Sequence, residues 1–204
     1  IFVRVFFSFI FIFLIFSFFP VFCNIDSGKS KSMVCASCHG SDGNSINKNW
    51  PKIAGQFSGY LSKQLLEYRK GNLGDRFDPI MFGITKNLSD DDILNLSIYF
   101  SSNDIKRNVS DLYDSDFYGR SLYFFGNINS NLAACASCHG STGEGNELAG
   151  FPKLASQHSD YIVQQLYNYK ENKRKNDPVG IMRDIASRMS DEQIKSVASY
   201  ISKM

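Results

Sequence analysis

The sequence predicts an all-α chain made of two tandem copies of one domain. Three observations predict it: a repeat at an offset of 100 to 101 residues, apolar positions spaced for helices without strand signals, and the hexapeptide CASCHG, found at Cys35–Gly40 and again at Cys135–Gly140. The repeat extends well beyond the hexapeptide. WPKIAGQFSGYLSKQLLEYRKGN from Trp50 aligns with FPKLASQHSDYIVQQLYNYKENK from Phe151, and DPIMFGITKNLSDDDI from Asp78 with DPVGIMRDIASRMSDEQI from Asp177, which has two extra residues before its Met. The expected domains are residues 24–107 and 108–204, split near Arg107 in the polar, turn-rich stretch after Ser101.

Residues 1–23, IFVRVFFSFIFIFLIFSFFPVFC, have one cation at Arg4, an apolar run and a turn-prone end at Pro20, which is the make-up of a secretory signal peptide. Ten of the 18 Phe lie in it, so the whole-chain composition overstates how aromatic the folded part is. Val21 and Cys23 would occupy the minus-three and minus-one positions of a cleavage site before Asn24. Two alternatives stay open: an uncleaved membrane anchor, because the run approaches spanning length, and lipidation at Cys23, against which Phe22 argues. Without this segment 21 cationic residues face 20 acidic ones, a balance of +1 that gives no sign of a nucleic-acid surface. The densest basic run, Lys170–Lys175, reads as a solvated helix end.

Within the repeats, Leu61, Leu65 and Tyr68, like Ile162, Leu166 and Tyr169, recur at i, i+4 and i+7, which lines one face of a helix with apolar side chains. A last helix in each copy opens at Ser89 and at Ser190. Ser190 with Gln193 makes a capping box, and three acidic residues after Ser89 suit a positive helix end. Ile194, Val197, Ala198 and Ile201 then face inward. The second copy has an additional helix, about Ser115–Phe125, with Gly119 where a close helix crossing would be allowed.

The duplicated hexapeptide carries the chemistry. In CxxCH, two thiols three positions apart form thioethers with the two vinyl groups of one haem, and the next residue, His, supplies an axial nitrogen to the iron. Cys35, Cys38 and His39 would hold one covalent haem c, and Cys135, Cys138 and His139 a second. Chance does not produce two such motifs with identical interiors from 5 Cys and 3 His in 204 residues. A four-thiolate zinc site would leave the matched histidines unexplained and would need both halves to converge on one ion. A thioredoxin-like CxxC expects a βαβ context that the flanking sequence lacks. Export agrees independently, because c-type haem is attached on the outer side of the bacterial cytoplasmic membrane, so the periplasm is the expected location. Copies of about 90 residues make thin cores; a covalent haem would fill each one, and folding should depend on its attachment. With four cysteines committed to haem, no disulfide framework is expected.

The remaining question is the sixth ligand, since an iron with one His is reactive and an iron with His and Met is closed and suited to electron transfer. Met33 lies just before the first motif and Met204 is the terminus. Met81 and Met182 each stand eight residues before a capping Ser, downstream of a haem motif, whereas Met189 aligns with Leu88 and reads as core. The expected ligands are therefore Met81 and Met182. The free ring nitrogen of each axial His needs an acceptor, and backbone carbonyls in the equivalent loops at Pro51 and Pro152 could supply it. Tyr60, Tyr161, Gln56 and Gln157 recur in register and fit either haem propionates or simple packing. His158, opposite Phe57 in the repeat, reads as a surface residue.

Two CxxCH domains, each with an FPKLAxQ-like loop, a YxxxQL helix and a Met-x7-Ser-Asp ending, together resemble the dihaem cytochromes c4 over essentially the whole mature chain. The resemblance implies two tandem class I cytochrome c domains, each wrapped around one covalently attached haem. It further implies pseudo-twofold symmetry, with propionates facing each other near the interface. The implied role is a periplasmic or membrane-attached one-electron carrier between redox partner proteins, a donor such as a quinol–cytochrome c reductase and a terminal oxidase, with no small-molecule substrate. Departures are modest: Ile53 where Leu is usual, Ser156 opposite Gly55, and a short helix before Cys35. One rival is the dihaem subunit of a flavocytochrome c sulfide dehydrogenase, which shares the two-domain plan. A second is a dihaem peroxidase, which needs one iron with an open position.

Overall fold

A computed structural model describes residues 25–108 and 117–204, and these form two five-helix halves. The first contains α1 (Ile25–Lys31), α2 (Met33–His39), α3 (Ser58–Arg69), α4 (Pro79–Thr85) and α5 (Asp90–Ser101). The second contains α6 (Phe117–Phe125), α7 (Ala136–His139), α8 (Ser159–Lys170), α9 (Ile181–Ser187) and α10 (Asp191–Ser202). Among the described residues extended backbone pairs only at isolated bridges. No helix there is long and apolar enough to cross a membrane. The signal-peptide reading of residues 1–23 lies outside the described residues.

The last helix of each half is its hub: α5 packs on α1 and α3, and α10 on α6 and α8. Both hubs begin with a complete capping box. Ser89 Oγ accepts from Asp92 N while Asp92 accepts from Ser89 N, and Ser190 and Gln193 do the same. These reciprocal bonds satisfy backbone donors that the first helical turn leaves unpaired. Ile93, Leu96 and Phe100 turn inward from α5; Ile194, Val197, Ala198 and Ile201 from α10.

The helix expected as an addition to the second copy has a counterpart. α6 crosses α10 at Gly119, where an added Cβ would lie 2.1 Å from the Ser196 carbonyl oxygen. α1 crosses α5 at Gly28 in the same way, 2.2 Å from the Asn95 carbonyl oxygen. Gly28 precedes Cys35 by 7 residues and Gly119 precedes Cys135 by 16, so a constant-offset alignment misses the match. The extra length forms the 3-10 turn Ile128–Ser130 and the hairpin-like pairing of Asn127 with Leu132.

Two further expectations are corrected. Arg174, expected on a solvated helix end, is only 4% exposed, because backbone pairing of Arg76 with Arg174 draws this segment into the seam between the halves. His158, expected at the surface, is 7% exposed, with Nε2 at 2.9 Å from Ser45 O and 3.0 Å from Ser45 Oγ. Ser45 Oγ spends its own proton on Trp50 O at 2.6 Å, so both Ser45 oxygens accept and the His158 proton sits on Nε2. A surface reading was natural for a residue whose repeat partner is Phe57; the opposite domain is what covers it.

Substituting Gly119→Ala or Gly28→Ala should force the crossing helices apart and destabilise the holoprotein by about 1–3 kcal/mol, as overpacking does. Gly59→Ala, exposed in α3 with nothing within 4 Å of the new Cβ, should leave the thermal midpoint unchanged or slightly raised. Thermal unfolding followed at the haem absorbance checks both. Burial holds His158 below its ordinary pKa and Lys52 adds to this, against the Ser45 hydrogen bond. A base depressed in the folded state contributes stability above its unfolded pKa of about 6.5 and loses it as pH falls. Stability should therefore decline on acidification below that value, and His158→Gln should flatten this part of the profile in denaturant titrations.

Candidate haem sites

Each CASCHG segment ends a short helix, and its final Gly makes the turn. Gly40 and Gly140 both have φ of 81°, and a Cβ there would lie 2.8 Å from the Asn44 carbonyl oxygen in one half and 2.2 Å from the Glu144 carboxyl carbon in the other. Downstream, one carbonyl pins the next loop in each half: Gly43 O accepts from Ile53 N and Ala54 N, and Gly143 O from Leu154 N and Ala155 N. This brings Pro51 O to 2.9 Å from His39 Nδ1 and Pro152 O to 2.9 Å from His139 Nδ1. A carbonyl only accepts, so Nδ1 carries the proton and Nε2 is left as the donor atom available to a metal. Burial depresses both imidazole pKa values, against the opposing Pro carbonyl bonds, which disfavours the charged imidazolium form.

The four motif cysteines form no disulfide, and burial pushes the Cys35 and Cys135 thiols up to about 11. A redox or metal-binding CxxC works through thiolates of lowered pKa, whereas thioether formation consumes thiols and leaves no charge to bury. Among the described residues no group of three or more His, Cys, Asp or Glu side chains is placed to hold an ion, so the two CxxC pairs do not converge on one.

The opposite wall is set by α4 and α9. Asp78 caps α4, its Oδ1 accepting from Ile80 N and Met81 N at 2.9 Å each, with Pro79 at the first helical position. The second copy accommodates its two extra residues in a left-handed kink, Val179 at φ 44° and Gly180 at φ 77°. Asp177 there binds Arg183 through its backbone N–H at 3.0 Å and its Nε at 2.8 Å. Different local structures thus precede Met81 and Met182 in the two halves. A single cavity of about 910 Å³ is lined by all four cysteines, both motif histidines, Met81 and Met182. Met189 is 4% exposed and packed in the core of the second half, and Met33 is 74% exposed. The core of the first half is small, Leu61, Leu96 and Phe100, which fits a domain whose centre is completed by a flat apolar group. The donor set and this cavity fit two covalently held haems.

The polar residues that recur in register serve the seam between the halves. Gln157 Oε1 accepts from Lys52 N at 2.9 Å and its Nε2 donates to Lys52 O at 2.8 Å. Gln56 mirrors this on Lys153, at 3.1 and 2.9 Å. Tyr60 and Tyr161 hydroxyls accept from Arg174 and Arg76 at 2.8 and 2.7 Å. Sequence reasoning read Arg174 only as part of a solvated helix end and assigned no role to Arg76, Gln64, Gln165 or Asn176, which complete this cluster. The in-register pairs Gln64/Gln165 and Tyr60/Tyr161 were the available signal.

Comparison with known proteins agrees with this geometry. The family model described as Cytochrome c matches twice, at residues 26–104 and 129–204. Cytochrome c4 of Thiocapsa roseopersicina is 37% identical over 177 residues, covering 86% of this chain and 90% of that protein. The thiosulfate dehydrogenase electron acceptor of Stutzerimonas stutzeri strain A1501 is 33% identical over 176 residues, covering 85% and 80%. The crystal structure of reduced recombinant cytochrome c4 from Pseudomonas stutzeri superimposes with a TM-score of 0.84 at 37% identity, covering 89% of this chain and 98% of that one. With two such domains and two CxxCH cysteine pairs, the chain belongs to the dihaem cytochrome c4 family, electron carriers with covalently bound haem c.

Proposed function

We propose that this protein is a one-electron carrier of a periplasmic respiratory chain, accepting electrons from a donor such as a quinol–cytochrome c reductase and passing them to a terminal oxidase. The observation that supports the reading is that both oriented motif histidines, the four motif cysteines, Met81 and Met182 line one cavity. In this reading Cys35 and Cys38, and Cys135 and Cys138, are the thioether positions. His39 and His139 would bind through Nε2, held in place by the Pro51 and Pro152 carbonyls, and Met81 and Met182 would supply the second ligand of each iron. When bound, each haem supplies a one-electron couple. The chain's residues bury it, fix the ligand geometry and leave no position for a substrate. A thioether opposite an imidazole favours the ferrous state and raises the potential relative to bis-His ligation.

The similarity to a thiosulfate dehydrogenase electron acceptor supports a second reading of the donor, an enzyme oxidising reduced sulfur, with the same carrier chemistry. Kinetics separate the two. The reduced protein should be oxidised rapidly by oxidase-containing membranes, and the oxidised protein reduced by whichever donor is physiological. Failure of membranes to oxidise it would remove the terminal-oxidase assignment and leave the carrier.

Met182→Ala should abolish the near-infrared methionine-to-iron band of one haem and lower one midpoint, and Met81→Ala should do so for the other. Met189→Leu, a volume-conserving core change costing under about 1.5 kcal/mol, should leave both bands intact. Near-infrared spectroscopy of the oxidised proteins is the check, and two bands surviving in Met182→Ala would sink the ligand assignment.

A further inference from the structure

The loop that orients His39 is held from the other half of the chain. His158, the residue before α8, is 7% exposed, and its Nε2–H points at Ser45, 2.9 Å from the carbonyl oxygen and 3.0 Å from Oγ. Ser45 is itself buried. With an N–H arriving at Oγ, the hydroxyl accepts there and directs its own proton to Trp50 O at 2.6 Å. Gln157, beside His158, takes Lys52 by both backbone groups: its Oε1 accepts from Lys52 N at 2.9 Å and its Nε2 donates to Lys52 O at 2.8 Å. Pro51 lies between these two fastened residues, and its carbonyl accepts from His39 Nδ1 at 2.9 Å. The proline ring fixes φ at the middle of this strap. The acceptor of the axial imidazole is therefore secured on both flanks by Gln157 and His158 of the opposite half.

The second half is secured differently. Gln56 clamps Lys153 as Gln157 clamps Lys52, at 3.1 and 2.9 Å. The other flank is fastened within its own half, where Phe151 and Asn146 exchange both backbone bonds at 2.9 Å. The residue matching Ser45 is Gly145, which has no hydroxyl, and the residue matching His158 is Phe57, which has no side-chain donor. Phe57 instead lies under the Lys153 ammonium. The path from His158 through Ser45 to Trp50 thus serves His39 and has no counterpart at His139 among the described residues.

We propose that His158 is a positioning residue for the axial histidine of the opposite half: through Ser45 and the Trp50–Lys52 strap it holds the Pro51 carbonyl on His39, and it thereby tunes the first redox centre and not the second. The proposal rests on the reading that His39 binds iron through Nε2. A carbonyl held on Nδ1–H raises the basicity of the imidazole, and a more basic ligand favours ferric iron. Removing the His158 donor leaves two buried acceptors on Ser45 unpaired, frees the hydroxyl to turn away from Trp50, and loosens the strap. The midpoint of the first centre then rises.

The test uses the full chain with both haems attached, their number taken from haemochrome absorbance. Spectroelectrochemical titration of His158→Phe, which installs the residue of the other copy, should show one midpoint raised and the other unmoved. Comparison with Met81→Ala, which lowers the midpoint of the first centre, identifies the one that moves. Ser45→Ala should raise the same midpoint, and it carries the test if His158→Phe does not accumulate. His158→Gln, which keeps an N–H donor, should restore most of the wild-type value. Both midpoints moving together, the second moving alone, or neither moving would overturn the positioning role. A second measurement reads the bond itself. In reduced protein labelled with 15N-histidine, the Nδ1–H of His39 should exchange with solvent faster in His158→Phe and Ser45→Ala than in wild type, with His139 unchanged. Equal acceleration at both histidines would assign His158 to general stability, and unchanged exchange at both would remove its link to His39; either result rejects the proposal. Fewer than two haems in the wild-type protein would overturn the ligation reading and the proposal with it, whereas two haems with unmoved midpoints would overturn the positioning role alone.

Discussion

Each half of this chain is too short to close a core of its own, and the consequence runs through the whole structure. Helices α5 and α10 gather the other helices around a space that side chains do not fill, so the group held by the CxxCH segments becomes the centre of each domain. Small domains commonly recruit a covalent or metal-bound element for this reason. Among the described residues the first half has the smaller buried cluster, Leu61, Leu96 and Phe100, against ten residues in the second. The features that hold the motif in place are local and repeated: a left-handed Gly after each His, a carbonyl that pins the following loop, and a proline carbonyl on each imidazole. The acceptor that orients each histidine is thus a backbone carbonyl.

Polar contacts join the two halves. Gln56 and Gln157 each bridge to the backbone of the opposite domain at both amide atoms, an arrangement that needs the two loops in one fixed register. The arginine cluster lines the same cavity as the two haem motifs, and its partners come in repeat-matched pairs, Tyr60 with Tyr161 and Gln64 with Gln165, which gives the joint a local symmetry. His158 breaks that symmetry, reaching Ser45 where the equivalent position in the other half is Phe57. Lys153 Nζ lies over the Phe57 ring at 4.7 Å, so the apolar partner is used as well, by a different interaction. Duplication supplied two similar surfaces, and the joint between them has since diverged in detail.

Much of the site was legible in the sequence because covalent attachment chemistry is local: two cysteines and a histidine within five residues define it wherever they fold. The repeat extended this reach, since corresponding positions single out Met81 and Met182 among five methionines outside the signal segment, and both line the cavity. It failed where spacing changed. α1 and α6 perform one task at Gly28 and Gly119, yet sit at different distances from their motifs, and a fixed offset cannot align them. It also failed at Arg174 and His158. Both read as solvent-facing because charge and polarity describe a side chain and not what lands on top of it.

The amino-acid sequence by itself determined the helical class, the duplication, the capping of α5 and α10 and the presence of two haem attachment segments. Each of these depends on residues close together in the chain or on comparing one copy with the other. Only the tertiary structure decided that Gln56 and Gln157 form a latch, that His158 is buried, and that Arg76 and Arg174 share acceptors in one cavity. Those contacts join residues about 100 positions apart, and helical periodicity reports which face of a helix is apolar without saying which surface will cover its polar face.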